Sequence, residues 1–134
     1  MKKDFQEKLN MVEQYLKGRK DIAFAYLFGS FARDIATPLS DVDIAVYLRG
    51  EKTSDKRLEI IGNLVDILKT DRLDLVILNR APLSLKMRIM KARKVIADNL
   101  PFIRHAFEST TIRTCLDFSK IEDRILEKRY LHGW

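Results

Sequence analysis

The 134-residue chain has one cysteine, one tryptophan, three prolines and five glycines. A lone Cys115 cannot close an intrachain disulfide, which excludes a disulfide-stapled scaffold and suits a reducing cytoplasm. So few prolines and glycines exclude collagen-like and flexible low-complexity chains, and no internal repeat stands out. The longest apolar run, Ile22 to Phe28, is seven residues long, far short of the roughly 20 that a helical membrane span needs. The opening MKKDFQEKLN has no apolar stretch of the kind signal peptides carry. What is present, 46% hydrophobic and 33% charged residues, is the composition of a soluble globular chain with a real core. The expected location is the cytoplasm, with no membrane contact.

The net charge of +6 is uneven. Residues 1–79 carry 13 Lys and Arg against 13 Asp and Glu, and residues 80–134 carry 12 against 6. A basic C-terminal part favours an anionic ligand or an acidic partner, although well-spaced cations on solvated helix faces would give the same count. His105 and His132 each stand alone, so neither reads as a metal ligand.

Apolar spacing predicts a helix over 3–17 (Phe5, Leu9, Val12, Leu16) closed by Gly18. It predicts a buried strand over 22–28, a turn at Gly29-Ser30, a short helix over 31–36 and a loop over 37–40. A second strand runs from Asp41 to Leu48. From Ser54 or Asp55, either a good N-cap, Leu58, Ile61, Leu64, Val65 and Leu68 mark a helix to about Lys69. A third strand at Leu73 to Leu78 follows, then a helix from Leu83 to about Ala92 and a short strand at Lys94 to Ala97. Beyond Pro101, Ile103, Phe107, Thr114, Phe118, Ile121 and Ile125 follow helical spacing, as one long helix or two consecutive ones. The expected fold is α/β, of the α+β kind, a small mixed β-sheet flanked by helices.

Two carboxylates begin the second strand. Successive strand residues face opposite sides, so Asp41, Asp43, Ala45 and Tyr47 share one face. The third strand places Asp74 among apolar neighbours, again near its start. Like charges this close disfavour each other's ionisation unless a cation meets them. An all-oxygen donor set suits Mg²⁺ or Mn²⁺. If the third strand lies beside the second, Asp41, Asp43 and Asp74 converge on one patch, as two-metal phosphoryl and nucleotidyl transfer requires. Gly29 allows close backbone approach to a ligand, and the amides that follow, with Ser30, form a natural phosphate cradle. Arg33, one helical turn on, reads as a triphosphate ligand, or as a surface partner of Asp34 or Asp21.

Gly29-Ser30, ten residues, then Asp41-Val42-Asp43 resembles the G-S-x10-D-x-D signature of the DNA polymerase β-like nucleotidyltransferase superfamily. GSFARD, SDVDIAV and RLDLVILNRAP most resemble the minimal nucleotidyltransferases (MNT), antitoxins paired with HEPN toxins. The resemblance implies a single nucleotidyltransferase domain over 1–134, with its core at 20–85 and a helical part at 99–130. It implies ATP as substrate and Mg²⁺ as cofactor, usually two ions. On it, Gly29, Ser30 and Arg33 bind the triphosphate, Asp41 and Asp43 hold both metals, and Asp74 holds one and helps deprotonate the acceptor. It also implies that AMP goes to a tyrosine of a HEPN RNase partner, silencing it, with no need for direct nucleic-acid binding. Two alternatives stay open. One is an antitoxin that acts by occlusion with nucleotide as a structural ligand, and the other is transfer to an aminoglycoside-like small molecule. The basic C-terminal helix is the expected partner contact.

Overall fold

A computed structural model describes residues 2–29, 32, 41–50 and 53–131. The elements are helix α1 (Lys2–Gly18), strands β1 (Ile22–Phe28) and β2 (Val42–Leu48), helix α2 (Thr53–Leu68), strand β3 (Leu73–Ile77), a 3₁₀ turn at Leu78–Arg80, helix α3 (Leu83–Lys91), strand β4 (Lys94–Asp98) and helix α4 (Pro101–Leu131). Apart from residue 32, the expected short helix at 31–36 and loop at 37–40 lie outside the described residues, as do His132 and Trp134.

The strands form one mixed sheet in the order β3-β2-β1-β4, with β1 antiparallel to β2 and β4, and β2 parallel to β3. Only the parallel pair needs a crossover, and α2 supplies it. Helices cover both faces. On one, Leu9, Val12 and Leu16 of α1 and Ile60, Leu64 and Leu68 of α2 pack on Val42, Ile44, Val46 and Leu48. On the other, Ile89 of α3 and Ile103 and Phe107 of α4 pack on Phe24, Tyr26, Phe28 and Ala45. Covering both faces of a central strand removes the need for alternation, and every residue of β1 is buried. The aromatic rings of Phe24, Tyr47 and Phe107 meet at 5.2–5.7 Å, and this cluster seats the start of α4. No helix among the described residues is long and apolar enough to cross a membrane.

Polar groups pin the chain's irregular parts. Asn79 in the 3₁₀ turn accepts from the Leu48 amide at 2.8 Å and donates to its carbonyl at 2.7 Å, acting as one more strand residue at the end of β2. Asn99 donates to the carbonyls of Leu16, Arg19 and Ile22, tying the β4–α4 turn to the α1–β1 turn. Glu108 of α4 accepts from the Tyr26 hydroxyl (2.6 Å), Arg93 (2.8 Å) and Arg104 (2.9 Å). Burial disfavours its charge, but the bonds from Tyr26 and Arg93 outweigh burial and hold the carboxyl below the usual carboxylate range.

The C-terminal part departs from expectation. Helical spacing had placed Thr114 and Phe118 on a packed face, yet among the α4 side chains described the buried ones are Glu108 and Thr111. Ile112, Leu116 and Phe118 are exposed. Leu58, expected to pack in α2, is 71% exposed. In each case the periodicity is local, whereas burial needs a neighbouring element, and the sheet is too small to reach these positions.

Glu108→Gln should cost about 2 kcal/mol in chemical denaturation, since it takes the carboxylate from Arg93 and from the Tyr26 hydroxyl and leaves Arg104 with Asp98 alone. Because the folded carboxyl titrates lower than the unfolded one, this difference is full above about pH 5 and shrinks as pH falls through the carboxylate range.

Candidate active site

Asp43 and Asp74 are register partners on the adjacent parallel strands β2 and β3. Each strand turns its remaining apolar residues to the same two sides. Leu73, Leu75 and Ile77 join the α1/α2 face with Val42 and Ile44, which leaves Asp74 and Val76 on the α3/α4 face with Asp43 and Ala45. Thus the alternation that buries β2 and β3 also sets two carboxylates side by side. Asp41 is exposed and lies one residue before β2.

Across β2 on the other side, Asp43 pairs with Phe28, the last residue of β1. Gly29 follows with φ +75, a left-handed conformation that L side chains resist. A Cβ built there would collide with the Asp43 carboxylate and stand 3.2 Å from its Cγ. The glycine is therefore required twice, by the backbone turn and by the carboxylate that fills the space above it. Ser30 and Arg33 lie outside the described residues.

The electrostatics follow from this crowding. Burial, then the charge of Asp74, then that of Asp41 push the Asp43 carboxyl above its ordinary range, and Arg88 of α3 pulls it back. Arg88 was not singled out by the sequence, in which this helix is only an apolar-spaced span from Leu83 to about Ala92. The available signal was its place beside Ile89 in a helix that must return to the carboxylate end of the sheet. Asp21, one surface partner considered for Arg33, is held by Arg19 at 2.6 Å and by Lys56 at 3.6 Å, at the opposite end of β1.

Hard oxygen donors under mutual repulsion fit a divalent cation. Among the described residues, however, no three His, Cys, Asp or Glu side chains stand close enough together to hold an ion as they are placed. The site is a register-locked pair, with Asp41 in electrostatic reach. A recess of about 340 Å³ lies elsewhere, at the start of β1. Its lining of Lys17, Arg19, Lys20, Ile22, Arg49, Asn99 and Leu100 has no carboxylate, so it is not this site.

Two variants check the geometry. Gly29→Ala should destabilise the fold by about 2 kcal/mol or more, from the left-handed backbone and the collision together. In an Asp43→Ala background only the backbone part should remain, and a denaturation double-mutant cycle reads the difference. Asp43→Asn should stabilise the metal-free protein at pH 7, on the order of 0.5 kcal/mol given the open site. A carboxyl raised in the folded state loses stability as pH rises through its pKa, so this advantage should vanish near pH 3–4.

Comparison with known proteins places the chain in a family. The polymerase beta nucleotidyltransferase family matches residues 10–100. A relative from Methanocaldococcus jannaschii, named "Putative protein adenylyltransferase", is 32% identical over 105 residues, covering 78% of this chain and 75% of its own. Among solved structures, a toxin–antitoxin complex with AMP-PNP aligns with a TM-score of 0.69 at 23% identity, covering 92% of this chain and 96% of its own. A tri-AMPylated Shewanella oneidensis HEPN toxin in complex with MNT antitoxin contains a chain that aligns with a TM-score of 0.67, again at 23% identity and with the same coverage. At that identity these two speak for the fold. The chain belongs to the polymerase beta nucleotidyltransferase family.

Proposed function

We propose that this protein is an antitoxin that transfers AMP from ATP to a tyrosine hydroxyl of a HEPN-type RNase toxin and so neutralises it. The observation that carries the reading is the Asp43–Asp74 register pair with Gly29 folded onto Asp43. It is supported by the relative named as a protein adenylyltransferase and by the neighbours bound to AMP-PNP and to an AMPylated toxin.

In the reaction the acceptor oxygen bonds to the α-phosphorus of ATP in line with the departing oxygen. The bond between the α-phosphorus and that bridging oxygen breaks, and pyrophosphate leaves. Asp74 takes the proton from the acceptor hydroxyl. Gly29, Ser30 and Arg33 hold the triphosphate, with Gly29 letting the backbone approach without a side chain in the way. Asp41, Asp43 and Asp74 would hold Mg²⁺, which when bound neutralises charge on the phosphates and on the entering and leaving oxygens. Much of the remaining rate comes from fixing the two reactants in attack geometry.

One observation favours a rival. Ile112, Leu116 and Phe118 of α4 are exposed, an apolar surface of the kind that partners cover, and tight docking alone could occlude a toxin. Incubation with Mg²⁺, α-labelled ATP and the product of the neighbouring reading frame separates the two. Label should appear covalently on that product and fall at least about a thousandfold with Asp41→Asn/Asp43→Asn, as expected for groups that act as a unit. Label on neither protein would sink adenylylation, and a double variant that still neutralises the toxin in cells would favour occlusion.

A further inference from the structure

We propose that Arg88 is a phosphate-binding residue of this site, its guanidinium engaging the triphosphate of the nucleotide beside the Asp43–Asp74 pair. The inference rests on the nucleotidyl-transfer reading and adds a ligand from the opposite side of the site to the Gly29 turn.

The placement comes from the topology. After the 3₁₀ turn at the far end of β3, α3 runs back along the sheet and delivers the chain to Lys94, which pairs with Leu27 of β1. Leu27 immediately precedes Phe28, the partner of Asp43. The last turn of α3, which carries Arg88 and Lys91, therefore lies at the carboxylate end of the sheet, on the same face as Asp43. Ile89 fixes the rotation of the helix, since it is fully buried against the cluster that includes Phe28 and Ala45.

Arg88 is also available. It is exposed, and no hydrogen bond or ion pair joins it to any described residue. The neighbouring cations differ, because Lys86 lies over the Phe107 ring and Arg93 is bound to Glu108 and to the Met90 carbonyl. The charge of Arg88 nevertheless reaches Asp43. A guanidinium close enough to be felt by a carboxylate, but not bonded to it, can turn to a ligand without breaking a contact.

Charge balance gives it a reason to do so. A bound triphosphate brings about three to four negative charges to a site that already holds Asp41, Asp43 and Asp74. The planar fork of arginine matches phosphate oxygens two at a time. The bland role for Arg88 is complementing the dipole at the C-terminus of α3. That role would change stability slightly and leave nucleotide binding untouched.

NMR titration of the full chain in Mg²⁺, with AMP-PNP and separately with adenosine, tests the assignment on wild type, Arg88→Gln and Arg88→Lys. Arg88→Gln should weaken AMP-PNP binding about ten- to a hundredfold, leave adenosine binding within about twofold and shift Tm by no more than about 2 °C. Arg88→Lys should recover part of the loss. AMP-PNP binding unchanged in Arg88→Gln would overturn the proposal alone. So would equal losses for AMP-PNP and adenosine, which would mark a structural role. No AMP-PNP binding by wild type would overturn both the proposal and the reading it rests on.

Discussion

Two carboxylates facing each other across parallel strands repel, and the fold commits to that repulsion. Asp43 and Asp74 cannot drift apart without breaking the β2–β3 register, because a one-residue slip would turn Val42, Ile44, Leu73 and Leu75 out of the core. Hydrophobic burial on one face therefore holds an electrostatic strain on the other. The left-handed Gly29 extends the same constraint to β1, where any side chain would meet the Asp43 carboxylate. A folded chain gains nothing from such an arrangement by itself, and a cation and a phosphate chain together would relieve it.

The rest of the molecule divides around that requirement. Helices α1 and α2 close the face without carboxylates and supply most of its apolar packing. Helices α3 and α4 cover the other face through the aromatic cluster and Ile89, and Asp41 and Asp74 stay exposed. The Glu108 network fixes α4 to Tyr26 on β1 and to Arg93 beside β4, and beyond Thr111 the helix leaves the sheet with apolar side chains exposed. A fixed base carrying exposed apolar side chains on its extension suits the protein acceptor proposed above.

Much of this was legible in the residues. All four strands and the four described helices lie within a few residues of where apolar spacing puts them, because each has a clear period and is bounded by turn residues. The shared face of Asp43 and Ala45 followed from strand alternation alone. Three things did not follow. The adjacency of β2 and β3 is a matter of topology, and the sequence could state it only as a condition. The exposure of Leu58 and Phe118 depends on what lies opposite them, which local periodicity cannot report. Arg88 was one of several spaced cations until the return of α3 set it apart. Asp41, expected as the first residue of β2, stands just outside it and is exposed, because the bonding to the third-strand segment begins one residue later, with the Val42 amide donating to the Arg72 carbonyl at 2.9 Å.

We propose that the register-locked carboxylates are a cation site that serves the nucleotide. Electron paramagnetic resonance of Mn²⁺ in the presence of a non-hydrolysable ATP analogue counts bound ions directly. Wild type should bind two ions per chain, Asp74→Asn should lose one, and none should be retained at this site when Asp41 and Asp43 are both changed to Asn. Equal Mn²⁺ binding by all three proteins would contradict it.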